Sequence, residues 1–111
     1  MDMTGEYGWH LVNEAELLRL QRWMSDAEGK TWEEACSKRV GCKQVSLDDS
    51  AEPARKMSAR LIELQKDDVD SVYEFHLDGT TRFWGIRRGH VCHLLWWDPN
   101  HGLWPSTLRH T

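Results

Sequence analysis

Apolar positions recur at helical spacing through the first 66 residues, and after Val69 the period changes to two. Leu17, Leu20 and Met24 lie three and four apart, with Leu18 widening the stripe. The preceding Val12-Asn13-Glu14-Ala15-Glu16-Leu17 has the form of a capping box. Asn13 accepts from the backbone at Glu16, Glu16 reaches back, and Val12 and Leu17 staple the entry. Gly29 ends this helix. A second box, Thr31-Trp32-Glu33-Glu34, opens a short helix through about Arg39, with Gly41 as its stop. Residues 42–47 have weak strand character. A third helix is expected from Asp49 or Ser50, with Pro53 in its first turn. Ala54, Met57, Leu61 and Leu64 form its apolar face, and Lys66-Asp67-Asp68 closes it.

Alternation then takes over. Tyr73, Phe75 and Leu77 share one face of a strand. Asp78-Gly79 predicts a two-residue hairpin turn, Thr80 to Arg87 the return strand, Arg88-Gly89 a second tight turn, and His90 to Trp97 a third strand. The expected fold is one α+β domain over residues 1–111. Residues 1–66 are mainly helical, and residues 70–104 hold a β-meander and a C-terminal motif. The N-terminal helices pack on a three- to four-stranded antiparallel sheet, with 42–47 as the candidate fourth strand.

Composition narrows the class. With 40% hydrophobic and 29% charged residues the chain is globular, not disordered. No apolar run approaches the roughly 20 residues that span a bilayer, and residues 1–8 lack the pattern of a signal peptide. Cys36, Cys42 and Cys92 are odd in number and match no disulfide framework, so a cytoplasmic protein is expected. The net charge of -4 is uneven. Residues 1–78 carry seventeen acids and ten bases, whereas residues 79–111 carry Arg82, Arg87, Arg88 and Arg109 against Asp98 alone. A basic, aromatic end on an acidic body suits either a phosphate backbone or attraction between the two parts.

Candidate chemistry concentrates in that end. Trp96-Trp97-Asp98-Pro99-Asn100-His101-Gly102-Leu103-Trp104-Pro105 places three tryptophans, an acid and a histidine around one turn. Strand tips entering loops often carry working side chains. In a meander, Arg82 starts the middle strand beside the end of the next one, so topology brings Arg82 to Asp98 and His101. Arginine binds phosphate as a fork, and a histidine near neutral pKa moves protons. Arg82, His101 and Asp98 are therefore the candidate catalytic set, with Asp98 orienting His101 or Arg82. Arg87, Arg88, Trp96, Trp104 and Arg109 are candidates for nucleic-acid or partner binding, although Arg87 and Arg88 fall at the opposite end of the strand pair. Trp84 and Trp97 are read as packing. His90, Cys92, His93 and His101 are split across strand faces, so no metal site or cofactor is expected. Cys92, mid-strand, reads as an inert buried thiol.

Ala59-Arg60-Leu61-Ile62-Glu63-Leu64, then Val72-Tyr73-Glu74-Phe75-His76-Leu77, Thr81-Arg82-Phe83-Trp84-Gly85, and His93-Leu94-Leu95-Trp96-Trp97-Asp98 running into His101 together resemble the RelE/ParE-type toxins of bacterial toxin–antitoxin modules. The likeness covers about residues 51–104. It implies a helix followed by a meander, a cognate antitoxin, and ribosome-dependent messenger RNA cleavage, with Arg82 and His101 in the positions of the family's working residues. The family usually opens on a strand, whereas this chain opens on two helices. Its ribosome-acting members are usually basic, and its ParE branch keeps the fold without the nuclease residues. The C-terminal string from Trp84 to Thr111 also resembles small bacterial proteins of similar length, which brings no function with it.

The expected function is a toxin-like component of such a module, acting as an endoribonuclease on RNA at the ribosome. Two alternatives stay open. One is a non-catalytic module binding a protein through the Trp/His/Pro surface. The other is a phage- or plasmid-encoded inhibitor whose acidic face mimics nucleic acid.

Overall fold

The computed structural model describes residues 1–35, 42–48 and 51–104. In chain order they form a 3-10 turn (Trp9–Leu11), helix α1 (Glu14–Ala27), helix α2 (Trp32–Ala35), strand β1 (Cys42–Ser46), helix α3 (Glu52–Glu63), and strands β2 (Ser71–His76), β3 (Arg82–Arg88) and β4 (Val91–Asp98). The four strands make one antiparallel sheet in sequence order. The architecture is α+β, and among the described residues no helix is long and apolar enough to cross a membrane.

Both capping boxes form. Asn13 Oδ1 accepts from Glu16 N at 2.9 Å, and Glu16 Oε1 accepts from Asn13 N at 2.9 Å. Thr31 and Glu34 exchange the same pair of bonds, at 2.9 and 3.2 Å. The expected continuation of α2 to Arg39, its stop at Gly41 and the start at Asp49 or Ser50 lie outside the described residues. Helix α3 begins after an Ala51 cap with Pro53 in its first turn. It ends where Gln65 adopts φ 62° and the amide of Lys66 bonds back to Leu61. A left-handed Gln at that position carries no signal of the Gly or Asn kind.

The sheet is covered on both faces. Ala54, Met57 and Leu61 of α3 are buried, as expected, and Met57 and Leu61 pack against Val45, Val72, Trp84 and Trp96. On the other face Leu20 and Trp23 of α1 meet Phe75, Phe83 and Trp97, with Trp9 beside them. The stripe expected on α1 is therefore rotated. Leu17, Leu18 and Met24 are exposed, whereas Leu20, Trp23 and Ala27 turn inward. The large indole of Trp23, edge-on to both phenylalanines, buries more area than the leucines would.

Two strand-level expectations change. The first hairpin does not use a two-residue Asp-Gly turn. Leu77 N donates to Thr81 O, and Asp78 Oδ1 accepts from Thr81 N, which widens the loop and delays β3 to Arg82. The second turn shifts by one residue, to Gly89-His90 between the paired Arg88 and Val91, with Gly89 at φ 65°. The register of β3 against β4 slips after Trp84, because Trp84 pairs with Trp96 and Gly85 with Leu94. Leu95 is the bulged residue, so Leu95 and Trp96 both join the core under α3.

The first residues are part of the fold. Asp2 N donates to Leu95 O at 2.9 Å and Trp97 N donates to Tyr7 O at 2.8 Å, so this segment runs along the outer edge of β4. Asp2 is buried and receives Nε and Nη2 of Arg60, each at 2.8 Å, and Nε1 of Trp96 at 3.0 Å. The Arg60 guanidinium, the larger influence, holds its carboxyl well below the usual range despite burial. Cys42 is disulfide-bonded, a state that the count and spacing of cysteines did not signal, and Cys92 is a free thiol.

Candidate functional site

The candidate site lies at the end of the sheet where β2 stops, β3 starts and β4 leaves. Register pairs His76 with Arg82 and Arg82 with Asp98, so three polar side chains sit side by side on the face that α3 covers farther along. The topological expectation that Arg82 meets the Asp98–His101 turn holds. Arg87 and Arg88 lie five and six residues away along β3, roughly 17 and 20 Å at strand rise, and do not join this cluster.

Glu74 is the centre of the arrangement. It is 1% exposed, on the same face two residues before His76 and directly across from Trp84. Its Oε1 lies 3.1 Å from His76 Nε2 and 3.8 Å from Lys43 Nζ. Its Oε2 lies 3.6 Å from His101 Nε2 and has no hydrogen-bond partner. A buried carboxylate oxygen without a partner is costly and marks a site that expects a ligand, a water or a proton. Glu74 and His76 were absent from the sequence-derived set. The only signal was hairpin register, which puts them on the face of Arg82.

His101 is held in place by its turn. Asp98 accepts from Gly102 N at 2.8 Å through Oδ1 and from Leu103 N at 2.9 Å through Oδ2. Those two bonds fold the chain back and leave His101 at φ 53°, a left-handed conformation unusual for a side chain of its size. Burial, and after it the charge of Arg82, lower the His101 pKa from its ordinary value, while Glu74 and Asp98 pull the other way. The imidazole is thus neutral at physiological pH and able to accept a proton. Asp98 was expected to orient His101 or Arg82, and it acts on the backbone of the turn. Both its oxygens are engaged by backbone amides, and it positions His101 through the turn.

Arg82 also differs from a free phosphate fork. It is 8% exposed, and its Nη1 donates to the carbonyls of Asp78, Gly79 and Thr81 at 2.8, 3.0 and 3.2 Å. Its buried Nε has no partner. Arg82 therefore ties the first hairpin loop together and supplies a fixed positive charge beside His101. Tyr7 adds a hydroxyl that the N-terminal segment brings against the same turn, where a Cβ on Gly102 would stand 3.1 Å from it.

The candidate binding residues divide. Trp96, 2% exposed and hydrogen-bonded to Asp2, is a core residue and cannot stack a base, which corrects that expectation. Trp104 is half-buried against the α3-side core. Trp84 and Trp97 are packing residues, as expected. Arg88 is exposed and lies 3.6 Å from Asp68. Arg87 is exposed on the opposite sheet face, with its guanidinium carbon 4.6 Å from the centroid of the Trp32 ring. Arg109 lies outside the described residues. Among the described residues no cluster of His, Cys, Asp and Glu is arranged to hold a metal ion. Cys92 is pushed up to about 11 by burial, which makes it a poor nucleophile.

No protein-family model matches this chain, nor does any curated protein or solved structure.

Proposed function

We propose that this protein is the toxin-like component of a bacterial toxin–antitoxin module and cleaves messenger RNA by acid–base chemistry at the His76–Glu74–His101 cluster. The observation that carries the proposal is the buried Glu74 carboxylate between two imidazoles, with one oxygen unpartnered. RNA carries its own nucleophile in the 2′-hydroxyl. Cleavage needs a base for that hydroxyl, an acid for the departing 5′-oxygen, and positive charge near the phosphorus. His101, held neutral, takes the 2′-proton. The 2′-oxygen attacks phosphorus, the P–O5′ bond breaks, and His76 delivers a proton to the leaving oxygen. The products are a 2′,3′-cyclic phosphate and a 5′-hydroxyl. Glu74 aligns both imidazoles, and Arg82 and Lys43 supply the positive field. The order of helix, meander and polar exit, similar to that of RelE/ParE-type toxins, supports the same reading.

Regulated expression in a bacterium tests it. The parent chain is expected to arrest growth and leave messenger RNA with cyclic phosphate ends, and His101→Asn and Glu74→Gln to lose both effects while remaining folded. Asn suits the left-handed position, so the first substitution does not add strain. Growth unaffected by the parent, or arrested equally by both variants, overturns the proposal.

A second reading has its own support. Leu11, Leu17, Leu18 and Met24 are exposed on and just before α1. Apolar residues grouped on a surface helix suit a protein partner. Tolerated expression together with co-purification of a stoichiometric partner, lost on Leu17→Glu, favours a binding module.

A further inference from the structure

The sheet face opposite the histidine cluster carries an open groove of about 870 Å³ between α1, α2 and strands β2 to β4. That size lies within the range of small-molecule sites. Its base is aromatic and closed, since Phe75 and Phe83 are buried. Phe75 and Phe83 stack with centroids 4.7 Å apart and ring planes 11° from parallel. Trp23 stands edge-on to both, at 5.5 and 5.1 Å, and forms one wall. Trp32, 6.2 Å from Phe75, forms another. Leu94 and Cys92 complete the apolar lining.

A cation stands at the mouth. Arg87 lies over the Trp32 ring, and its Nε donates to Gly89 O at 3.0 Å, which fixes the plane of the guanidinium. Its Nη1 makes only a long contact of 3.5 Å with the Tyr73 hydroxyl. Among the described residues no carboxylate forms an ion pair with Arg87. His90 and Lys30 line the groove as well, whereas Glu28 and Glu33 line its helical rim. A stacked, pre-oriented guanidinium beside a flat apolar slot recognises an anion carried on a planar body.

We infer that this groove is a binding site for a planar aromatic carboxylate, whose ring system lies between Trp23 and Trp32 above the buried Phe75–Phe83 pair and whose carboxylate meets Arg87. The inference is independent of the proposed nuclease, which uses the other face of the sheet.

Calorimetric titration of the full chain with 2-naphthoate and with its neutral counterpart 2-naphthalenemethanol tests the site. Saturable one-to-one binding is expected for both, with the carboxylate about tenfold tighter. Arg87→Gln, at an exposed position, should erase that preference and leave the alcohol unchanged. Trp23→Leu should weaken both ligands, with circular dichroism confirming the fold. Absence of saturable binding, equal affinities for the two probes, or a preference that survives Arg87→Gln overturns the inference.

Discussion

Nε2 of His101 lies 3.6 Å from Oε2 of Glu74, an oxygen that no donor satisfies. The two residues come from separate segments, an interior strand and the exit of an edge strand. The turn that Asp98 fastens brings them together. The pair joins a buried negative charge to an imidazole whose own protonation is disfavoured by burial.

That pairing has a pH signature. The folded chain binds a proton at His101 less readily than the unfolded chain does, so stability is unaffected above the ordinary histidine pKa of about 6.5 and falls as pH drops through it towards the depressed folded value. NMR titration should show a His101 midpoint below 6.5. Glu74→Gln removes a group that raises this pKa, so the midpoint should move lower still. A midpoint that stays fixed or rises in that variant contradicts the electrostatic picture.

The Asp2–Arg60 pair predicts an acid-sensitive lock. Asp2→Asn or Arg60→Met should lower unfolding free energy by about 3 kcal/mol, since one removes a buried charge from its partner and the other leaves that charge unpaired. The Asp2 pKa is depressed in the fold, so its contribution is fully present above the unfolded value of about 4 and drains away as pH falls below it. Urea melts of parent and Asp2→Asn at pH 7 and at pH 3 should show the gap narrowing.

Gly85 is a packing requirement. A Cβ there would stand 2.6 Å from Cys92 Sγ and 3.0 Å from the His93 carbonyl oxygen. Gly85→Ala should cost about 1–3 kcal/mol. Adding Cys92→Ala should recover part of the loss and not all, because the backbone clash persists. Denaturant melts arranged as a double-mutant cycle measure the coupling.

The α1 capping box is exposed and local. Asn13→Ala should destabilise by about 1 kcal/mol, and Asn13→Asp should preserve the acceptor and most of the stability. Thermal unfolding of the three proteins separates the two outcomes.

Local chemistry was legible in the chain where it acts over a few residues. Asn13 with Glu16 and Thr31 with Glu34 cap their helices as their spacing indicates, and Ala54, Met57 and Leu61 bury as a face. Meander topology was enough to put Arg82 beside Asp98. What could not be read depends on partners far along the chain. Glu74 alternates with apolar neighbours and so resembles the solvent-facing member of an amphipathic strand, until α3 and the 98–103 turn cover it. Asp2 looks like an exposed terminal charge, until Arg60 and Trp96 reach it. On α1 Leu17, Leu18 and Met24 pointed one way and Leu20 with Trp23 the other, and only the aromatic sheet face decided between them. The Asp78-Gly79 signal was overridden because the Asp78 side chain accepts from Thr81 and Arg82 binds the loop carbonyls.

The bulge at Leu95 divides β4 into two halves that count inside and outside in opposite phase. Before it, Cys92 and Leu94 look toward α1; after it, Trp96 looks toward α3 and Trp97 toward the Trp9 side. Leaving Leu95 out of the ladder therefore decides which surface of the molecule owns Asp98 and the turn beyond it. Deleting Leu95 would remove the bulge yet keep Trp84 opposite Trp96 and Arg82 opposite Asp98, so the exit would stay on the α3 side; straightening the strand with Leu95 retained is what would carry it to the opposite face and separate His101 from Glu74. The offset in β4, more than its composition, is what keeps the histidine cluster assembled.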